Sequence, residues 1–312
     1  MKKIIESIRK INPYLLYIIK KFYEDFYKDK LYNLFKKSEL SKTIEVFKKS
    51  PNKPEWLEKS LLEFLQSKYP TPSSFVYNTS NLRNRSRNRV MSILKQVPIN
   101  KIKNKNVLEI GCGKGMTCYF LLRYGAKITG IDIIDNFSET CLESGVKLIK
   151  MDASNLKFEN NSFDLVYTFD AFEHFLDPEK VLQEIIRVTK NDGYIYASFG
   201  LFYDAPWGPH SYRTINFPYW QHLFPEEMIY NFAKERNLPE FPEYTFNRWK
   251  VGQFRKLWKK YSESLKIIKY KEYLDLRYLD MIRNYPSCFK SKITNFEDLI
   301  VTSAKVVFKK IA

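Results

Sequence analysis

The sequence predicts an α/β protein: a doubly wound sheet of mostly parallel strands, preceded by a helical N-terminal extension. Three observations carry this expectation. From residue 106 onward, short apolar runs alternate with helix-periodic segments, the pattern of parallel strands joined by right-handed crossovers. A glycine cluster closes the first of those runs. Apolar residues make up 44% of the 312 positions and aromatics 16%, enough to fill a large core and to exclude a fibrous or disordered chain.

Taken in order, residues 1–50 place Ile4, Ile5, Ile8, Ile11, Leu15, Leu16 and Ile19 near a 3.6-residue period, which resumes through Phe22, Phe26, Leu31, Leu34 and Phe35. Two or three amphipathic helices are expected there, broken near Asn12-Pro13 and Ser50-Pro51. The turn-rich stretch Pro70-Thr71-Pro72-Ser73-Ser74 marks a boundary. A helix over 81–96 carries Arg83, Arg85, Arg87 and Arg89 at a spacing of two, which is expected to spread them over several faces.

The strands are expected at Asn106–Ile110, Lys127–Asp132, Lys147–Met151, Asp164–Phe169 and Tyr194–Phe199, with helices at Thr117–Tyr124 and Pro178–Thr189. Beyond them, Trp249–Tyr261 is helix-periodic, and Leu265–Tyr270 and Leu299–Phe308 read as strands. The expected organisation is a basic amphipathic extension (1–70), a connector with a lead-in helix (71–106) and the sheet-bearing domain (107–312), with an aromatic cap at about 199–248.

Charge is uneven along this plan. Residues 1–60, 61–106 and 226–312 carry +7, +8 and +7, whereas 107–225 carry −5, within a total of +17. Polyanions, phosphorylated substrates and anionic membrane surfaces are therefore admissible partners, and a generally solvated positive surface is the bland alternative. Basic amphipathic helices can lie on a membrane surface, but docking onto the main domain is the expected role of the extension. The longest N-terminal apolar run, residues 13–19, is far short of a spanning helix, and no leader peptide is expected. Cys112, Cys118, Cys141 and Cys288 form no C-x-x-C pair, which predicts a reducing, cytoplasmic setting with neither a disulfide scaffold nor a metal site.

The chemistry-bearing residues fall at three strand ends. The first strand runs into Glu109-Ile110-Gly111-Cys112-Gly113-Lys114-Gly115, whose glycines permit a sharp turn and close approach of a ligand to main-chain N–H groups. Its G-x-G-x-G spacing and its upstream acid differ from the dinucleotide fingerprint. Asp132 ends the second strand, where a carboxylate can accept both hydroxyls of a ribose. Asp152, followed by Ala153, ends the third, where an acid can accept an adenine amino group.

These residues resemble the class I S-adenosylmethionine-dependent methyltransferases, through "VLEIGCGKG" (107–115), "ITGIDI" (128–133), "KMDASNLKFENNSFDLVYTFDAFEHFLD" (150–177) and "VLQEIIRVTKNDGYIYAS" (181–198). The resemblance implies a seven-stranded sheet of order 3-2-1-4-5-7-6 with an antiparallel last strand, and S-adenosyl-L-methionine as cofactor. It places the methionine end over Gly111, Cys112 and Gly113 behind Glu109, the ribose on Asp132, and the adenine near Ile133, Asp152 and Ala153. The sulfonium falls near Phe169, where the family more often has a small or polar residue; an aromatic face suits a sulfonium. No N-P-P-Y tetrapeptide follows the fourth strand, so methylation of an exocyclic base nitrogen by that mechanism is not expected.

After the fifth strand, residues 199–224 hold nine aromatics together with His210 and His222. Their position is that of an acceptor pocket in the resembled family, and "PWGPHSYRTINFPYWQHLF" is similar to methyltransferases of surface-glycan or secondary-metabolite assembly. Transfer to a hydroxyl needs a base, for which His210 is the first candidate and His222 the second. His174 is expected to shape the cofactor site. The leading expectation is methyl transfer to a hydroxyl of a glycan or small metabolite. RNA methylation with the basic flanks binding nucleic acid is the alternative, and a non-catalytic adaptor the third.

Overall fold

The computed structural model describes residues 37–53, 55–70, 78–239, 241 and 246–311. The helices expected over residues 1–36, and most of the turn-rich stretch at 70–80, lie outside them. Two compact units are present: residues 55–275 with 292–312, and residues 1–54 with 276–291.

In the second of these, residues 37–49 are helical and end before Ser50-Pro51. Arg283 pairs with Glu39 at 2.8 Å and donates to the Thr43 hydroxyl at 3.0 Å, and Lys290 lies 4.8 Å over the Phe47 ring.

The larger unit contains α1 (Lys59–Lys68), α2 (Thr79–Leu94), β1 (Asn106–Ile110), α3 (Met116–Leu122), β2 (Lys127–Asp132), α4 (Glu139–Glu143), β3 (Lys147–Lys150), β4 (Phe163–Phe169), α5 (Pro178–Val188) and β5 (Thr189–Gly200). After these come α6 (Trp220–Leu223), α7 (Glu226–Glu235), α8 (Val251–Lys260), β6 (Leu265–Leu274), α9 (Glu297–Ile300) and β7 (Val301–Lys310). Local chemistry sets several of the boundaries. Asn78 caps α2 by accepting from Asn81 N–H, and Asp177 caps α5 by accepting from Lys180 N–H, with Pro178 in the first turn.

The seven strands form one sheet of order β3-β2-β1-β4-β5-β7-β6, with β7 antiparallel to both its neighbours, as the resemblance implied. β4 is buried along its whole length at the centre. The edges are polar: β3 carries Lys147 and Lys150, and β6 carries Lys266, Lys269 and Lys271, which discourage edge-to-edge pairing. Side-chain alternation divides the core into two layers. Val107, Leu165, Tyr167, Tyr196 and Val307 face Val90 and Ile93 of α2 and Leu121 of α3. Leu108, Val166, Ile195, Val306 and Phe308 face Leu182 and Ile185 of α5 and Phe254 and Trp258 of α8.

The departures from the expected elements are local. β5 starts five residues early because Thr189 pairs with Phe163 through a register shift around Asp192, whose φ is +61°. β6 runs four residues further because its partner β7 is long enough to keep it hydrogen-bonded to Leu274. Leu299 and Ile300 form the last turn of α9 instead of opening the strand.

Candidate functional site

The three sequence-predicted strand ends come together along β1, β2 and β3. Gly111, Gly113 and Gly115 all have positive φ (71°, 52° and 80°), so the loop from β1 into α3 needs residues without a side chain. Their surroundings differ. A Cβ on Gly111 would stand 2.9 Å from the Ala171 Cβ, and one on Gly115 would stand 2.6 Å from a Leu148 methyl. Nothing lies within 4 Å of the corresponding position on Gly113, which faces open space. Asp132 ties this loop to β2: its carboxylate accepts Gly113 N–H at 2.7 Å and Ile134 N–H at 3.1 Å. Beside it, Ile133 is 67% exposed, an apolar face at the mouth of the site, while Ala153 is buried. Asp152 accepts Ser154 N–H at 2.8 Å, which orders the turn after β3.

Glu109 is fully buried beneath the loop. One carboxylate oxygen accepts from the Cys118 thiol at 2.9 Å and the Tyr167 hydroxyl at 3.0 Å; the other has no partner. Burial pushes its pKa up to about 7, against the lowering pull of Cys118, Arg89 and Tyr167. Cys112 is buried and its thiol is pushed well above its usual range by burial, so it stays protonated. Phe169 is buried at the end of β4, with its ring 5.3 Å from Tyr196 and the Arg89 guanidinium 4.9 Å from its face. The open space over Gly113, the exposed Ile133 and the unpartnered Glu109 oxygen fit a bound nucleoside with a cationic amino-acid tail.

Next to this loop, a cleft of about 600 Å³ opens between α2 and the carboxyl ends of β4 and β5. Asn84, Arg85, Asn88 and Arg89 form its helical wall, and Phe169 and Asp170 part of its floor. The four arginines of α2 fall on more than one face, as expected: Arg87 lies 5.1 Å over the Phe120 ring, whereas Arg85 and Arg89, one turn apart, share a face and both donate to the same Asp170 oxygen at 2.5 Å. The signal was in the sequence as an i, i+4 pair, obscured by its alternation with Arg83 and Arg87.

The aromatic residues of 199–224 are mainly core and not cleft lining. Phe199, Phe202, Phe217, Tyr219, Trp220 and Phe224 are each at most 4% exposed. Phe199 meets Phe254 edge-on and Phe202 stacks on it, and Tyr219 donates its hydroxyl to Leu299 O at 2.7 Å. Aromatic area of this size is stabilised most by burial, which explains the placement.

His210 sits at the outer end of β5 with φ +55°, and its Nε2 accepts Leu201 N–H at 3.3 Å. Its ring lies 5.5 Å from that of His174 and 4.9 Å from Phe246. Burial, reinforced by His174, lowers its pKa to about 4 and keeps it neutral. His222 is buried in α6, where Nε2 donates to Asp204 O at 3.1 Å; burial lowers its pKa to about 3. Neither histidine lines the cleft. Glu173 lies between the two regions, accepting Gly200 N–H at 3.2 Å, with a pKa raised well above the carboxylate range by burial and by Asp170. Among the described residues, no cluster could hold a metal ion, and no helix is long and apolar enough to cross a membrane. All four cysteines are buried thiols.

Residues 108–197 match the family described as a methyltransferase domain. The chain is 38% identical over 96 residues to norajmaline N-methyltransferase of Rauvolfia serpentina, which covers 28% of this chain and 33% of that protein. It is 30% identical over 99 residues to a sterol 4-C-methyltransferase of Caenorhabditis elegans (29% and 30%) and 29% identical over 106 residues to the ubiquinone biosynthesis O-methyltransferase of Vibrio cholerae (32% and 43%). The chain thus spans between three-tenths and just over two-fifths of these curated relatives. Among solved structures, it is similar to phosphoethanolamine N-methyltransferase 2 of Haemonchus contortus in complex with S-adenosyl-L-methionine, with a TM-score of 0.45 and 18% identity over 72% of this chain and 53% of that one.

Proposed function

We propose that this chain, whose residues 108–197 form a class I S-adenosylmethionine-dependent methyltransferase domain, transfers a methyl group from that cofactor to a hydroxyl of a glycan or other small metabolite. The observation that carries the cofactor half is the joined geometry of Gly113 and Asp132, a loop facing open space with an acid held 2.7 Å from its backbone. When bound, S-adenosylmethionine supplies an electrophilic methyl on a sulfonium.

The resemblance assigns the residue roles, and their positions support the assignment. Asp132 holds the ribose, Ile133 and Ala153 cover the adenine, and Asp152 orders the turn that receives it. Gly113 leaves room for the methionine end, which the resemblance lays over Gly111, Cys112 and Gly113, and the free oxygen of Glu109 offers a partner to its amino group. Phe169 closes the floor and excludes water.

A hydroxyl acceptor must lose its proton. His210 is the better-placed histidine: it is neutral at physiological pH and adjoins His174 and the Asp170 field, whereas His222 is sealed in α6. To act as base it must release the long bond from Leu201 N–H and meet an acceptor that extends beyond the cleft, which it does not line.

RNA methylation remains the second reading, supported by the positive charge of 61–106. Calorimetry with S-adenosylmethionine tests the first half. Labelled methyl transfer into separate glycan, small-metabolite and RNA pools tests the second, and label confined to RNA overturns the small-acceptor reading.

A further inference from the structure

On that methyl-transfer reading, the cleft beside the cofactor loop has a chemistry of its own. Arg85 and Arg89 project from one face of α2 and converge on a single oxygen of Asp170. Guanidinium groups stay charged at every physiological pH, so among the described residues that line the cleft two positive charges face one negative. Asp170 is the one acid among the described lining residues. Asn84 and Asn88 add amide donors along the same wall, and Ser198 lines it from β5. Arg89 is further fixed by its position 4.9 Å over the face of Phe169.

We infer that this cleft binds the acceptor through an anionic group, a carboxylate or phosphate, held by Arg85 and Arg89 with Asp170 as the partner it displaces. The shared chemistry is an oxyanion that accepts paired N–H bonds from guanidinium groups. A protonated amine is a poor occupant, because it would meet two fixed positive charges. The volume suits a small molecule or the end of a chain. Position completes the argument. Phe169 and Asp170 are consecutive, and Ala171 touches Gly111, so the anion site adjoins the loop assigned to the cofactor. Ligands of such sheets bind where it lies, at the carboxyl ends of the strands.

The charges give the test opposite signs. With the full chain loaded with S-adenosylhomocysteine, at constant ionic strength, calorimetric titration with benzoate and with inorganic phosphate should show saturable binding of at least one. Arg85→Gln and Arg89→Gln should each weaken it about tenfold. Asp170→Asn should tighten it several-fold by removing the competing carboxylate, and thermal melts confirm that each variant is folded. Benzoate binding alone indicates a carboxylate acceptor, phosphate binding alone a phosphate. Absence of saturable binding of both anions, or equal affinity in wild type and the arginine variants, overturns the inference.

A second experiment follows labelled methyl transfer into a metabolite extract, with products separated on an anion exchanger. The labelled product should be retained, and phosphatase treatment of the extract abolishes it only if the anion is phosphate. A neutral or cationic product, or an RNase-sensitive one, overturns the inference. Anion binding of the predicted pattern without any methyl transfer would instead remove the activity and leave the anion site standing.

Discussion

Replacing Asp132 with alanine separates cofactor binding from folding. In the structure this carboxylate accepts two backbone N–H groups, from Gly113 at 2.7 Å and Ile134 at 3.1 Å, and neither bond lies in the core. Losing them should cost about 1–2 kcal/mol of stability, or a fall in melting temperature of about 2–8 °C for a chain of this size. On the proposed assignment the same carboxylate accepts both ribose hydroxyls. Two charge-assisted bonds, discounted for solvent at a half-exposed site, contribute roughly 1.5–3 kcal/mol, so affinity for S-adenosylmethionine should drop about ten- to a hundredfold. Asp132→Asn keeps one acceptor oxygen and should fall between the two. Titration calorimetry reads the affinity, and circular dichroism confirms that the protein remains folded. Unchanged affinity in the folded alanine variant would show that the ribose does not sit on Asp132.

Gly113→Ala should weaken cofactor binding while costing about 1–2 kcal/mol of stability, because only its left-handed backbone is strained and its Cβ meets open space. Gly111→Ala adds a clash with Ala171 and should destabilise by roughly 3 kcal/mol; equal effects of the two in melting and binding would contradict this distinction. The carboxyl of Glu109 is raised to about 7, so the folded state holds its proton more tightly than the unfolded chain. That stabilisation is full below about pH 4.5 and is lost as pH rises through about 7. Glu109→Gln should therefore gain relative to wild type between pH 5 and 8, by up to roughly 3 kcal/mol, and a pH-independent difference in denaturant midpoint would refute the assignment. His210→Ala should reduce turnover about 10²-fold, the lower end for a general base because a pKa near 4 makes a weak proton acceptor; cofactor affinity should not change. Because His210 is in its base form above about pH 4, turnover on its account should be flat from pH 5 to 8.

The fold was legible because each strand is short, apolar and bounded by turn residues. Asn106–Ile110 and Lys127–Asp132 fall where periodicity put them, and the sheet order agrees with the resemblance. Boundaries slipped where tertiary pairing overrides local pattern, as at Thr189, whose partner Phe163 is 26 residues away in sequence. The glycine loop and Asp132 were also legible, since positive φ and a strand-end acid leave marks in composition. The cleft was not. Its arginines belong to a helix ahead of the glycine motif, and Asp170 reads as an ordinary loop acid until the fold carries α2 past the end of β4. The aromatic residues of 199–224 misled for the opposite reason: their density records burial, and only the structure separates a core from a pocket wall.

The polar face of α2 that walls the cleft spans residues 81–92, ahead of the segment 108–197 that matches the methyltransferase domain, while the residues proposed to face the cofactor run from 109 to 169. On that proposal the helical wall of the cleft is written ahead of the cofactor-facing stretch, and only its floor, Phe169 and Asp170, falls within the matched segment. Substitutions along one helical face can retune what enters the cleft without disturbing the nucleoside cradle.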